Sequence, residues 1–219
     1  MRYFLLTALG WVLAAGPAAA VPLPRDKDET TCLDLQAKAN GKLKDSFHGG
    51  SAGNNLAEVP RGEQTLGGVK LFIGDGLIQL AGSEASALPA KVQGIKVGRA
   101  FATLYMLQAC GTGYQTKDGT VVGIYTIHYQ DKSTATVNVV FGKDVRDWWY
   151  YPNSPGVTGG KVAWQGDNAM AKKSRARVRL YLSSWRNPHP RKKVATIDFA
   201  STRTTRAQPF CVALTVAGK

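Results

Sequence analysis

Residues 48–53 read His-Gly-Gly-Ser-Ala-Gly, a literal G-x-S-x-G centred on Ser51. In a hydrolase that serine stands on a sharp turn between a strand and a helix, its hydroxyl exposed for attack. Here no apolar strand precedes Ser51, and Asn54, Asn55 and Pro60 oppose a helix after it. The motif therefore reads as a flexible glycine-rich loop. Asp144 and Asp147 are two carboxylates three positions apart, a pattern open to a glycosidase or a calcium ion. A glycosidase pair depends on the separation of its carboxylates across the sugar, and Arg146 between them points instead to local ion pairing. His48, His128 and His189 are scattered, and the cysteines form no Cys-x-x-Cys, so spacing assigns no zinc ligands. No catalytic residue, metal or cofactor is expected.

Trp148-Trp149-Tyr150-Tyr151 is followed by Pro152-Asn153-Ser154-Pro155-Gly156. Neighbours on a strand face opposite ways, so adjacent aromatics cannot all point inward. Exposed flat rings stack on sugars or bases; buried ones would cap the end of a core. Trp148, Trp149 and Tyr151 are the stacking candidates, while Trp164 and Trp185 read as packing residues. The other candidate group lies at residues 174–182, where Arg175, Arg177, Arg179 and Tyr181 alternate with Ala176, Val178, Leu180 and Leu182. As a half-buried strand this puts the three arginines in one outward row. Lys172 and Lys173 precede it, and Arg186, Arg191, Lys192 and Lys193 follow. Guanidinium forks suit carboxylate, sulfate and phosphate; alternatively, the like charges guard a sheet against edge pairing.

The elements that must position these residues are strands. Residues 33–37 alternate, 68–73 and 77–80 flank a Gly-Asp-Gly turn, and 101–109 are apolar on both faces, as in a central strand. Residues 121–129 and 134–141, joined at Asp131-Lys132-Ser133, form a hairpin. Later strands fall at 161–165, 175–184, 194–200 and 209–216. Many short strands between Gly, Asp, Asn and Pro turns predict a two-sheet antiparallel β-sandwich of jelly-roll type. Residues 39–66, rich in Gly, Asn and Ser, form a long loop, a length usually functional or packed as a cap.

Residues 1–20 have a basic start at Arg2, an apolar run, a Gly16-Pro17 break and Ala18-Ala19-Ala20. That is the pattern of a cleavable signal peptide. Residues 21–31, charged and proline-containing, read as a mobile leader, and 32–219 as a single domain. The chain carries 28 Lys and Arg against 15 Asp and Glu, net +13, and removing the signal peptide takes away only Arg2. Export makes secreted or periplasmic and cell-envelope locations the expectation. It directs the basic charge toward carbohydrate or other extracellular anionic polymer rather than specific nucleic-acid sites. Export also permits disulfides. Cys32 opens the first strand and Cys211 lies in the last; terminal strands often neighbour each other, so Cys32–Cys211 is the preferred pair, with Cys110 free, the alternative being three buried thiols that pack as small hydrophobes.

Further segments are distinctive in combination: Leu33-Asp34-Leu35-Gln36, Asn54-Asn55-Leu56, residues 60–69, 95–99, 104–107, 123–129 and 142–149, Trp185-Arg186-Asn187-Pro188-His189-Pro190 and Ile197-Asp198-Phe199. Together they resemble bacterial galactose-binding-like jelly-roll domains, accessory modules found beside carbohydrate-active regions, over about residues 32–216. The resemblance implies a jelly roll and, in many members, sugar binding. The expected function is non-catalytic carbohydrate binding outside the cytoplasm, of anionic or sulfated polysaccharide. Trp148, Trp149 and Tyr151 would stack, and Arg175, Arg177 and Arg179 would contact anions. Alternatives are a structural or protein-interaction module of the envelope, and a secreted hydrolase using Ser51 or Asp144 and Asp147.

Overall fold

A computed structural model describes residues 29–46, 52–84 and 87–218. The signal-peptide segment, most of the leader, His48 and Ser51 lie outside the described residues.

The chain forms an antiparallel β-sandwich. Its strands are β1 (Thr30–Leu33), β2 (Gly41–Lys42), β3 (Gly62–Leu66), β4 (Val69–Ile73), β5 (Gly76–Gln79), β6 (Lys91–Arg99) and β7 (Thr103–Gly111). They continue with β8 (Val121–Tyr129), β9 (Thr134–Val140), β10 (Trp149–Tyr150), β11 (Lys161–Gly166), β12 (Arg177–Arg186), β13 (Val194–Ser201) and β14 (Gln208–Ala217). The larger sheet has the order β10-β12-β7-β14-β5-β2, with β1 on β14 and β11 on β12. The smaller sheet runs β6-β13-β8-β9, and β3 and β4 make a separate hairpin.

The apolar segment expected at the centre is β7, buried on both faces throughout and flanked by β12 and β14. Apolar residues on both faces require cover on both sides. On the inner face Tyr125 of β8 stacks on Phe199 of β13, ring centroids 4.2 Å apart. The Tyr125 hydroxyl donates to Gln108 of β7 at 2.9 Å, tying the two sheets together. On the outer face the β3–β4 hairpin supplies the cover. Thr215 of β14 donates to the Lys70 carbonyl at 2.9 Å, and the turn at Gly67, held at φ +58°, lies against Leu182 and Ala163. The expected β8–β9 hairpin is present, turning through Lys132 at positive φ. The long 39–66 segment contributes β2 and β3, and its buried Leu43, Leu56 and Val59 make it part of the core.

Three expectations need correction. β1 begins inside the expected leader 21–31: Thr30 and Thr31 pair with Ala217 and Val216. The Cys32–Cys211 disulfide does not form, and all three thiols are free. The terminal strands are indeed neighbours, but Cys32 stands opposite Thr215. Cys211 is four positions further along β14, roughly 13 Å at strand spacing, beyond the reach of a disulfide.

The outward arginine row does not exist either. Tyr181 stands opposite Gln108, and cross-strand partners share a face. Because Gln108 reaches across the sandwich to Tyr125, the Arg179–Tyr181 face of β12 points inward. Arg179 is only 5% exposed and Tyr181 is fully buried. Arg175 precedes β12 in a positive-φ turn after the short helix α1 (Ala169–Lys173). Arg177 is exposed and pairs with Asp167 at 3.1 Å. The alternation identified two faces, but both are covered.

Candidate functional site

At one end of the sandwich, beyond β7, lies an open cleft of about 560 Å³. Segment 146–148 builds its floor by continuing the larger sheet. The Cys110 amide donates to the Arg146 carbonyl at 3.1 Å, and the Trp148 amide to the Cys110 carbonyl at 2.8 Å. The Arg179 amide donates to the Trp148 carbonyl at 2.8 Å. This pairing sets Asp147 between the end of β7 and the start of β10. Its carboxylate accepts from the Gly113 amide at 2.6 Å and the Trp149 amide at 2.9 Å. Asp147 opens on the cleft but is otherwise enclosed. Burial is the main influence on its carboxyl and pushes it up to about 6, against the Trp149 and Gly113 amides, the nearby Arg179 charge and the Tyr114 amide, which oppose the rise.

The four adjacent aromatics divide between packing and exposure. Trp148 is 2% exposed and meets Phe210 edge to face at 6.1 Å. Trp149 is partly buried, its indole N–H donating to Asn54 at 3.1 Å. Tyr150 lies beneath the Arg179 guanidinium, 4.7 Å from ring centre to Cζ. Tyr151 projects, 51% exposed. Tyr114, 70% exposed, comes from the turn after β7. Only three large hydrophobic side chains are exposed among the described residues, and two of them, Tyr114 and Tyr151, line this cleft. The third, Phe72, lies on β4.

Two guanidinium groups complete the wall. Arg146 holds Asp118 through two bonds of 2.9 and 2.5 Å and donates from Nε to the Gly156 carbonyl at 2.6 Å. Arg179 donates from Nη2 to the Pro155 carbonyl at 2.9 Å. The structure thus brings Trp148, Trp149, Tyr151 and Arg179 into one cleft and leaves Arg175 and Arg177 outside it.

Arg146 does form an ion pair, as its position between two aspartates suggested, but with the distant Asp118. Asp144 takes no part in the cleft. It accepts from the Val140 amide at 2.8 Å and closes the turn after β9; its carboxyl is raised chiefly by burial. Asp147 is the only carboxylate among the described residues lining the cleft. His128 bonds Asp198 at 3.0 Å on the smaller sheet, and His189 packs edge-on against Tyr129. No cluster able to hold a metal occurs among the described residues, and none of their helices is long and apolar enough to cross a membrane.

Sequence reasoning missed Tyr114, Asn54 and Arg146 as cleft residues. Tyr114 carried a usable signal, a large aromatic in the turn Gly111-Thr112-Gly113-Tyr114 where no strand face exists to bury it. Asn54 and Arg146 reach the cleft only through folding. In comparison with known proteins, no family model, no curated protein and no solved structure matches this chain.

Proposed function

We propose that this chain is a non-catalytic carbohydrate-binding protein of galactose-binding-like, jelly-roll type, acting outside the cytoplasm. The observation that carries this reading is the gathering of Tyr114, Tyr151 and Trp149 around one cleft with a polar floor. Small-ligand sites are concave, largely apolar and furnished with a few placed polar groups, in volumes of about 300–1,000 Å³. Aromatic faces contact the apolar face of a sugar ring, while Asn54, Asp147 and Arg179 offer acceptors and donors to hydroxyls. That only one carboxylate among the described residues lines the cleft supports binding over glycoside hydrolysis, which in most families needs two carboxyl groups across the scissile bond.

A glycan array followed by titration calorimetry tests the reading. The expected result is binding to at least one glycan, weakened ten-fold or more by Tyr151→Ala and by Trp149→Ala, with melting temperature little changed in the exposed Tyr151 variant. Absence of binding to every neutral and acidic glycan would exclude it. Capture of a single protein from envelope extract, with no glycan bound, would favour an interaction module instead.

A further inference from the structure

We propose that the cleft is built for an acidic sugar, whose carboxylate binds Arg179 by displacing the Pro155 carbonyl. This rests on the carbohydrate-binding reading and names the class of sugar.

Arg179 is 5% exposed, and a buried guanidinium calls for acceptors on its donors and a compensating charge. It has neither in full. Its Nη2 reaches the Pro155 carbonyl, while its Nε is buried without a partner. The ring contacts with Tyr150 and Tyr181, at 4.7 and 5.2 Å, favour its charge, and the Tyr181 hydroxyl lies within hydrogen-bonding reach of the guanidinium, but Nε is left without a partner. Asp147 lies near enough to feel the charge, yet its carboxylate oxygens are aimed at the Gly113 and Trp149 amides. An unsatisfied buried donor costs free energy and calls for an explanation. Nε and Nη2 form the edge of a guanidinium that a carboxylate engages with two parallel bonds. One carboxylate would satisfy Nε, replace the single carbonyl on Nη2 and supply the missing charge.

The group in the way is held lightly. Pro152, Asn153, Pro155 and Gly156 are exposed. The segment is fastened by Ser154 bonding Tyr151, with 2.9 Å from the Tyr151 amide to Oγ and 2.8 Å from the Ser154 amide to the Tyr151 carbonyl, and by the two arginine–carbonyl bonds. Segments with little apolar burial open at low cost. Pro155 and Gly156 thus present two consecutive backbone carbonyls to Arg179 and Arg146, oxygens that an acidic ligand can exchange for its own.

The test is titration of the whole protein with oligomers of galacturonic, glucuronic and mannuronic acid, each beside its carboxyl-reduced neutral form. It is run at low salt and at about 0.5 M salt, where screening falls within a few ångströms. The expected result is at least a ten-fold preference for one acid oligomer over its reduced form, persisting at high salt. Arg179→Met abolishes the preference, so that the acid and the reduced form bind equally, and Arg177→Gln leaves it intact. Because Arg179 is buried and its variant can fail to fold, Ser154→Ala supplies a second readout: loosening the segment tightens acid-form binding about three-fold or more. Equal binding of acid and reduced forms overturns the proposal and leaves carbohydrate binding standing. So does a preference that vanishes with salt, survives in Arg179→Met, or is unimproved or weakened by Ser154→Ala. Failure of every oligomer, acid and neutral, together with a blank glycan array removes both readings.

Discussion

Asp147 gives the cleft a pH signature of its own. Its folded carboxyl titrates at about 6, above the 3.8 of an unburied aspartate, chiefly because protein surrounds it. Between those values the folded state holds a proton that the unfolded chain has released. The associated stability is therefore present in full below the unfolded value and is lost as pH rises through about 6. Asp198 works the other way. Burial raises its carboxyl, but bonds from Gly94, Lys91, His128 and Gln93 outweigh that and bring it down to about 2. Its contribution is present above the unfolded value and disappears only in strong acid. Set against an Asp147→Asn background, the window from pH 7 to 5 reports on Asp147. Urea unfolding should show the protein more stable at pH 5 than in an Asp147→Asn background by about 1 kcal/mol, relative to the same difference at pH 7. An identical pH dependence in both proteins would show that Asp147 is not buried as described.

Among the elements, α1 and the 52–58 segment together hold the outer side of the cleft. Asn168 caps α1 by accepting from the Ala171 amide at 2.7 Å, and the same side chain donates to the Asn55 carbonyl at 3.0 Å. Asn54, next along, receives the Trp149 indole. One side chain therefore serves helix and cleft. Asn168→Ala should cost about 1–2 kcal/mol in denaturant unfolding and also weaken glycan binding. Asn168→Asp keeps the cap but loses the bond to Asn55, so it should retain most of the stability while still weakening binding. Equal stability loss in the two variants would assign the cost to the Asn55 bond rather than the cap.

For the whole molecule, the first and last described strands meet without a covalent link. β1 lies along β14, and ladder hydrogen bonds join them across residues 30–33 and 214–217. Cys110 and Cys211 are buried thiols whose protons are held by their surroundings, Cys211 pushed up to about 12 by burial. This arrangement is open to direct measurement. Thiol titration after denaturation should count three free groups, and a reductant should leave the melting temperature unchanged. A count of one, with a lower melting temperature under reductant, would reinstate a disulfide. The net charge of +13 acts at this scale too, as a long-range attraction for polyanions that salt removes. That is why the ligand proposed for the cleft is to be judged at high salt.

Alternation and turn residues were enough to read an antiparallel β-sandwich, the β8–β9 hairpin and the central place of β7, because strand period and turn chemistry are local properties. The aromatic run at 148–151 was legible as partly exposed for the same reason: neighbours on a strand cannot all be buried. Which of its rings emerge was decided by the fold, which seats Trp148 on Phe210 and leaves Tyr151 outside. Period alone separates two faces of a strand without saying what covers either. On β12 the β3–β4 hairpin took the face read as inward, and the space between the sheets took Arg179. The arginine expected on an open row instead became a buried donor at the cleft; Gly113, beside Tyr114, bonds Asp147 from 34 positions away, and Asn54 meets Trp149 from 95. Those meetings depend on long-range register, and no local pattern of residues encodes them.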